Sequence, residues 1–250
     1  VVPQVRKQAS ATEETAVISV VIPAYNEIES LSPLTGEVLE VMRGLGQEFE
    51  ILFVDDGSRD GTRDLLRRLA EENSEVHFVG FKQNRGQTAA MAAGFRHARG
   101  DVVVTLDADM QNDPRDIPRL LEKLGEYDVV CGWRKKRNDS LVRRVSSRVA
   151  NYVRNKLSDE EIVDVGCSLK AYKRECVDRL KLFEGMHRFL PTLVKLEGYS
   201  VIEVPVNHRP RELGTSKYGI RNRIVKAFLD LLAVRWMKKR HISYEIEEEV

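Results

Sequence analysis

The chain has 250 residues and a mass of 28.6 kDa, long enough to bury a core as one large domain or two small ones. With 42% hydrophobic and 32% charged residues, 16 Gly and 8 Pro, its composition is that of a soluble globular protein and excludes collagen-like, mucin-like and wholly disordered classes. The 40 Lys and Arg balance 39 Asp and Glu to a net charge of +1, so no chain-wide basic field is available for nucleic acid, and anion binding must come from local clusters.

Residues 1–15 are polar, lack the apolar core of a signal peptide and are expected to form a disordered tail. Strand-length apolar runs follow at Val17 to Ile22, Ile51 to Val54, Val76 to Phe81, Val102 to Leu106 and Val129 to Cys131. They are nearly continuous rather than alternating, as expected of strands covered on both faces. Helical patterns separate them: Ser30 to Leu45, Arg63 to Glu72 with Thr62 as N-cap, Gln87 to Ala98 ended by Gly100, and Ile117 to Leu124 opened by Pro118. This repeated β-α order predicts an α/β fold with a mostly parallel sheet, whose ligands bind beyond the carboxyl ends of the strands.

The second half is less regular. A helix is expected from Leu141 to Leu157, a short element at Val163 to Tyr172, a helical stretch around Met186 to Glu197, a strand at Ser200 to Val206 and a loop from His208 to Tyr218. A helix at 219–240 and an acidic tail at 241–250 complete the chain. With no repeat and no low-complexity linker, the expectation is one domain over 16–240 with a C-terminal helical elaboration. Cys131, Cys167 and Cys176 are sparse, odd in number and without CxxC spacing, which suits buried thiols in a reducing compartment. No run of 18 apolar residues occurs, so no bilayer span is expected.

The strand ends carry the chemistry. The first, Pro23-Ala24-Tyr25-Asn26-Glu27, contains no GxGxxG, and no P-loop occurs anywhere in the chain. Tyr25 and Glu27 there suit either a nucleoside or an ordinary polar loop. The second, Val54-Asp55-Asp56-Gly57-Ser58, sets a carboxylate just past a buried strand, where it can accept from a base or ribose. The fourth, Thr105 to Asp113, is the richest. In an extended backbone Asp107, Asp109 and Gln111 would project to one side, offering oxygen ligands to a hard divalent cation. An EF-hand is excluded by the missing Gly and Glu of its loop.

Taken in order, Pro23 to Glu27, Asp55 to Ser58 and the DxD-type Asp107-Ala108-Asp109 resemble the family 2 glycosyltransferases with the Rossmann-like GT-A fold. Gly132-Trp133-Arg134, Asp164 to Tyr172 and Arg211 to Gly219 narrow the resemblance to polyprenyl-phosphate glycosyltransferases of the dolichyl-phosphate mannose synthase type, although Gly166-Cys167-Ser168 departs from the usual wording. The resemblance spans about Ile18 to Arg240.

It implies that Pro23, Tyr25, Glu27, Val54 and Asp56 hold the nucleoside of a GDP- or UDP-linked sugar. Asp107, Ala108, Asp109 and Gln111 would hold ribose, diphosphate and Mg²⁺ or Mn²⁺, the metal through Asp107, Asp109 and Gln111. Arg134, Arg211 and Lys217 would grip phosphates, where a metal and cations stabilise the charge developing on the leaving group. On the acceptor side Arg143 and Ser147, four apart on the expected helix, would join Arg134 on a lipid phosphate.

Such a phosphate attacks without a base, whereas a hydroxyl acceptor would need one, and Asp164 is then the candidate. Two rivals stand beside this reading: a transferase acting on a sugar hydroxyl, and a non-catalytic module binding nucleotide sugar and cation. The seven Lys and Arg between Arg134 and Arg148, and the cations bracketing Ile224 to Met237, suggest peripheral contact with the cytoplasmic face of a membrane. Phe228, Leu232 and Trp236, spaced four apart, suit either that contact or core packing. A membrane-protein partner or homo-oligomer is a further expectation.

Overall fold

The computed structural model describes residues 16–134, 162–210 and 220–242. Among these, seven strands form one sheet: β1 (Ile18–Ala24), β2 (Phe49–Asp55), β3 (Val76–Gly80), β4 (Val102–Thr105), β5 (Val129–Arg134), β6 (Lys170–Lys173) and β7 (Val201–Val206). Their spatial order is β3-β2-β1-β4-β6-β5-β7. Every neighbouring pair is parallel except those of β6, which runs antiparallel to both β4 and β5.

The helices between them are α1 (Ile28–Leu45), α2 (Thr62–Glu72), α3 (Gln87–His97) and α4 (Ile117–Leu124). Alternation along the strands divides the core into two layers. Ile18, Val20 and Ile22 of β1 and Ile51 and Phe53 of β2 pack with side chains of α1, α2 and α4. Val21, Leu52 and Val103 face the other way, onto Met91 and Phe95 of α3 and onto the helix Leu190–Leu196. This two-sided cover explains why the strands read as continuous apolar runs. On α1, Leu31, Leu34, Val38 and Met42 lie three to four residues apart on one face and are wholly buried. Each such side chain contributes roughly 1.5–3 kcal/mol of burial free energy.

Several local expectations need correction. Thr62 is not the N-cap of α2: Gly61, at φ 95°, occupies that position, and the Thr62 hydroxyl accepts from the Glu27 amide at 3.0 Å. The segment at Val163 to Tyr172 becomes strand only from Lys170. A short helix at Arg174–Asp178 goes unread in the sequence because five residues carry too little periodicity. The helical stretch from Met186 begins as a 3-10 turn, Met186–Phe189, before Leu190–Leu196. The last helix spans Ile220–Arg240. Among the described residues, no helix is long and apolar enough to cross a membrane.

Strand direction positions the site. Because β4 and β5 both run against β6, they share the direction of β1 and β2, and the carboxyl ends of all four emerge at one edge. The chain leaves β1 for β2 and β3 on one side, then returns through α3 to β4 on the other. The crevice outside β1 and β4 is therefore a topological switch point, where open α/β sheets bind ligands. The start of β6 lies at that same edge, since Lys170 pairs with Thr105.

Candidate active site

The first two strand ends are stitched into one loop pair. Register places Pro23 beside Val54 and Ala24 beside Asp55. Buried Asp55 accepts from the Ser58 amide at 2.9 Å and from Arg63 Nε at 2.6 Å. Asn26 adopts φ 53°, a left-handed conformation that Asn tolerates better than most residues. Its amide donates to Ser58 Oγ at 2.8 Å, and its side-chain oxygen accepts from the Arg59 amide at 2.8 Å. Half-buried Tyr25 and Glu27 flank it, held at the mouth of the crevice by these bonds.

Asp56 is buried, and its carboxylate accepts from Asn84 Nδ2 at 2.9 Å, the Arg85 amide at 2.6 Å and the Gly86 amide at 2.8 Å. Burial raises its pKa, and the two backbone donors oppose that rise. Gly57 sits at φ 74°, and a Cβ there would stand 2.5 Å from the Gln83 carbonyl carbon, so only glycine lets the 83–86 segment lie against it. Asp56 thus fixes the entry to α3. The first residue of that helix, Gln87, then donates through Nε2 to Asp107 Oδ1 at 2.9 Å. The segment Asn84–Gln87 joins two of the strand-end motifs, a role that sequence reasoning missed; the one available signal was Gly86 standing at the head of an apolar helix.

Past β4 the backbone is not extended. Residues 108–110 turn, with Met110 at φ 61°, and Asp109 Oδ1 accepts from the Gln111 amide at 3.2 Å. The alternation that would align Asp107, Asp109 and Gln111 therefore fails. The turn still sets the two carboxylates close: burial, then the Asp109 charge, raises the Asp107 pKa, while the charges of Lys170 and Arg134 oppose it. Buried Ala108 lies between them.

The Gln111 carbonyl accepts from the Arg209 amide at 2.9 Å, and Arg209 spans to Glu37 and Asp113, both at 2.7 Å. Asn112 Oδ1 accepts from the Asp107 amide at 3.3 Å and from Ser168 Oγ at 2.7 Å. No cluster of three His, Cys, Asp or Glu side chains suited to a metal occurs among the described residues. Two carboxylates, with remaining positions left to phosphate oxygens and water, is nonetheless the donor set that Mg²⁺ commonly takes.

The opposite wall comes from β5 and the segment before β6. Asp164 accepts a bidentate pair from Arg134, Nε at 2.7 Å and Nη2 at 2.8 Å, and also the Arg134 amide at 3.2 Å. Burial weakens the guanidinium's hold on its proton, but the bonded carboxylate outweighs this and raises the pKa. Glu203 of β7 accepts from the amides of Val163 at 2.7 Å and Asp164 at 2.8 Å, fixing the loop that carries Asp164. A Cβ on Gly166 would lie 3.1 Å from Arg134 Nη2, so the guanidinium rests against bare backbone. Lys170 is buried and donates to the Cys167 carbonyl, bringing a further positive charge beside Asp107. Glu203 is the second functional residue that sequence reasoning missed, since a lone acid in a strand gives no hint of a partner 39 residues away.

The structure thus brings Pro23, Tyr25, Glu27, Val54, Asp56, Asp107, Ala108, Asp109, Gln111, Arg134 and Asp164 to one edge of the sheet. Arg143, Ser147, Arg211 and Lys217 lie outside the described residues. The three cysteines are buried free thiols, and burial pushes the Cys131 thiol up to about 12.

Among solved structures, the fold resembles a mannosyltransferase from Pyrobaculum calidifontis in complex with GDP-Man and Mn²⁺, at 22% identity and a TM-score of 0.63, over 93% of this chain and 66% of that one. It also resembles glucosyl-3-phosphoglycerate synthase from Mycobacterium tuberculosis, solved with Mn²⁺, UDP and phosphoglyceric acid, at 20% identity and a TM-score of 0.69, over 91% of this chain and 80% of that one. A further structure of that synthase holds Mg²⁺ and UDP. The chain spans about two thirds of the length of the mannosyltransferase chain. Residues 19–181, which run from β1 through the short helix after β6, match the model of Glycosyl transferase family 2, and the chain belongs to that family.

Proposed function

We propose that the protein is an inverting, metal-dependent glycosyltransferase that moves a sugar from a nucleotide sugar to a polyprenyl phosphate. The observation that carries this reading is the Arg134–Asp164 pair facing Asp107 across the switch-point crevice. With both oxygens engaged by a guanidinium, Asp164 is a poor proton acceptor and a good holder of a cation. An acceptor already ionised at neutral pH needs the second service and not the first.

Each residue then has a task. Tyr25, Glu27 and the wall formed by Pro23 and Val54 seat the nucleoside, while Asp56 holds the 84–86 segment that closes that side. Asp107 and Asp109 hold Mg²⁺ or Mn²⁺ with help from the diphosphate, in keeping with the metals present in the related structures. The bound metal neutralises charge building on the leaving diphosphate. Gln87 orients Asp107 toward it. Arg134, steadied by Asp164, aims its remaining donors at an incoming phosphate, with Arg143 and Ser147 as its partners there. Arg211 and Lys217 complete the grip on the donor. Attack on the anomeric carbon from the side opposite the diphosphate gives a single displacement, hence inversion.

A hydroxyl acceptor is the second reading, favoured by the phosphoglyceric acid in one related structure. The deciding experiment offers GDP- and UDP-sugars with a short-chain polyprenyl phosphate, with and without EDTA. A lipid-linked sugar that forms only with metal is expected. Failure of every donor, or transfer only to hydroxyl acceptors, defeats the proposal.

A further inference from the structure

The turn that carries Asp109 places Met110 at φ 61°, a left-handed conformation uncommon for a residue with a side chain. Such a conformation persists where the surrounding structure over-determines it. Here much of that constraint comes from far along the chain, from the segment that follows β7. The Arg119 guanidinium donates to the Pro205 carbonyl at 2.9 Å. Asp116 accepts from the Asn207 amide at 2.6 Å and from its Nδ2 at 3.4 Å. Asn112 and His208 form an antiparallel bridge, and the Arg209 amide donates to the Gln111 carbonyl at 2.9 Å. Residues 111 and 112 are in turn bonded to the two carboxylate residues: the Gln111 amide to Asp109 Oδ1, and Asn112 Oδ1 to the Asp107 amide.

Arg209 adds a side-chain tie to this backbone pairing. Its Nη1 donates to both oxygens of Glu37, at 3.0 and 2.7 Å, and its Nη2 donates to Asp113 Oδ1 at 2.7 Å. One guanidinium thus joins the loop after β4 to α1. That helix is a firm reference, since Leu34 and Val38, near Glu37 in sequence, are wholly buried. Asp113 is held from a second side, because Oδ1 also accepts from the Arg115 amide at 3.2 Å and caps the 3-10 turn Pro114–Asp116. The side chains of Arg209 and Asp113 are 25% and 13% exposed, so these charge-assisted bonds are little screened by salt. Two carboxylates on one guanidinium leave no net positive charge for a phosphate. Arg209 therefore acts on the site through the loop it holds.

We propose that Arg209 is a positioning residue for the metal-holding turn: by locking residues 111–113 to α1 it fixes the backbone from which Asp107 and Asp109 present their carboxylates to a divalent cation. The inference rests on the reading that those two carboxylates hold the metal. Groups that orient metal ligands without touching the metal commonly set its affinity by roughly 10–100-fold. The geometry asks for arginine in particular, because its planar fork meets Glu37 through one nitrogen and Asp113 through the other.

The test is Mn²⁺ binding by the full chain, followed through loss of the free-ion paramagnetic resonance signal, with the metal alone, with UDP and with GDP. Arg209→Gln should weaken Mn²⁺ by roughly ten-fold. Sugar transfer lost at low Mn²⁺ should return at saturating Mn²⁺, so that the apparent KM for metal rises while kcat is kept. Asp113→Asn should weaken binding by a similar factor, and the double variant should add little, since the two side chains act through one contact. Arg209→Lys should recover only part of the affinity, because an ammonium cannot span both carboxylates. A merely structural role would lower Tm and leave the Mn²⁺ affinity of the folded chain unchanged. Parent-like affinity in Arg209→Gln, or full additivity with Asp113→Asn, would overturn the inference; if Arg209→Gln does not fold, parent-like affinity in Asp113→Asn does so. A parent chain that binds no Mn²⁺ in any arm would bring down the proposed function and the inference with it, whereas parent-like variants of a chain that binds Mn²⁺ overturn the inference alone.

Discussion

Replacing Asp164 by Asn separates the two acceptor chemistries. The side chains of Arg134 and Asp164 are 15% and 7% exposed, so the substitution leaves a nearly buried guanidinium without its countercharge and turns an amide donor toward it. Breaking a buried pair from one side costs about 3–5 kcal/mol. Arg134 retains some water, which favours the lower end, and about 3 kcal/mol in a domain of this size lowers Tm by about 6–12 °C. Function should fall through positioning. A guanidinium displaced by an ångström loses roughly 100-fold in acceptor kcat/KM, appearing mainly in the acceptor KM. Donor affinity, measured by calorimetry with the nucleotide sugar and Mn²⁺, should be nearly unchanged. Arg134→Lys should move the same quantities in the same direction, because an ammonium cannot make the bidentate contact. A catalytic base would behave differently: kcat would collapse with acceptor KM intact, and wild-type kcat would rise with pH through the base's pKa. That outcome would refute the positioning role of Asp164 and favour a hydroxyl acceptor.

Two stability predictions follow from the scaffold. In Gly132→Ala the new Cβ would stand 2.9 Å from Cys167 Sγ, the Leu169 carbonyl oxygen and Val206 Cγ2, and the Gly132 amide is already bonded to that carbonyl. With no room to yield, the variant should lose about 1–3 kcal/mol in urea unfolding, and an unchanged midpoint would contradict the packing of β5 on the loop before β6. The Arg43–Glu75 pair predicts a pH dependence: its hydrogen bond from Arg43 is the main cause that lowers the Glu75 pKa from 4.5 to about 2. A depressed carboxylate contributes stability that is fully present above its unfolded pKa and lost as pH falls through the folded one. The Tm difference between wild type and Glu75→Gln should therefore be constant above pH 4.5 and shrink toward pH 2; a difference that grew on acidification would reverse the assignment.

The first half of the fold was legible because its strands are buried on both faces. Val20, Val21, Ile51 and Phe53 are all wholly buried, and residues so placed write an unmistakable apolar run. The motifs at the strand ends were legible as an ordered set for the same reason, since each follows such a run directly. Two kinds of feature were not. Thr62 looked like a cap because local sequence cannot reveal that its hydroxyl is claimed by Glu27, 35 residues away. Gln87 and Glu203 bond across 20 and 39 residues, and nothing in their neighbours announces those partners. Extended geometry past Leu106 was the natural expectation after a strand, and it failed where Met110 takes a positive φ. The C-terminal helix escaped a single reading because it is apolar on two sides, one turned to Met186 and Phe189 and the other exposed.

The antiparallel strand gives the site its electrostatic form. A parallel strand between β4 and β5 would carry its amino-terminal loop to the far edge of the sheet, away from Asp107. Running β6 backwards delivers Asp164, Ser168 and Lys170 to the edge where β4 and β5 end. There Ser168 shares Asn112 with the Asp107 amide, Lys170 sets a buried positive charge beside the carboxylates, and Asp164 orients Arg134. Burial chiefly, and then the nearby Asp109 charge, raises the pKa of Asp107. A hydrogen bond with Ser168 and the nearby charges of Lys170 and Arg134 offset part of that rise. The near-neutral charge of the chain thus conceals opposed charges gathered at one edge of the sheet, the arrangement that the proposed function asks of a site for a cation and phosphates together.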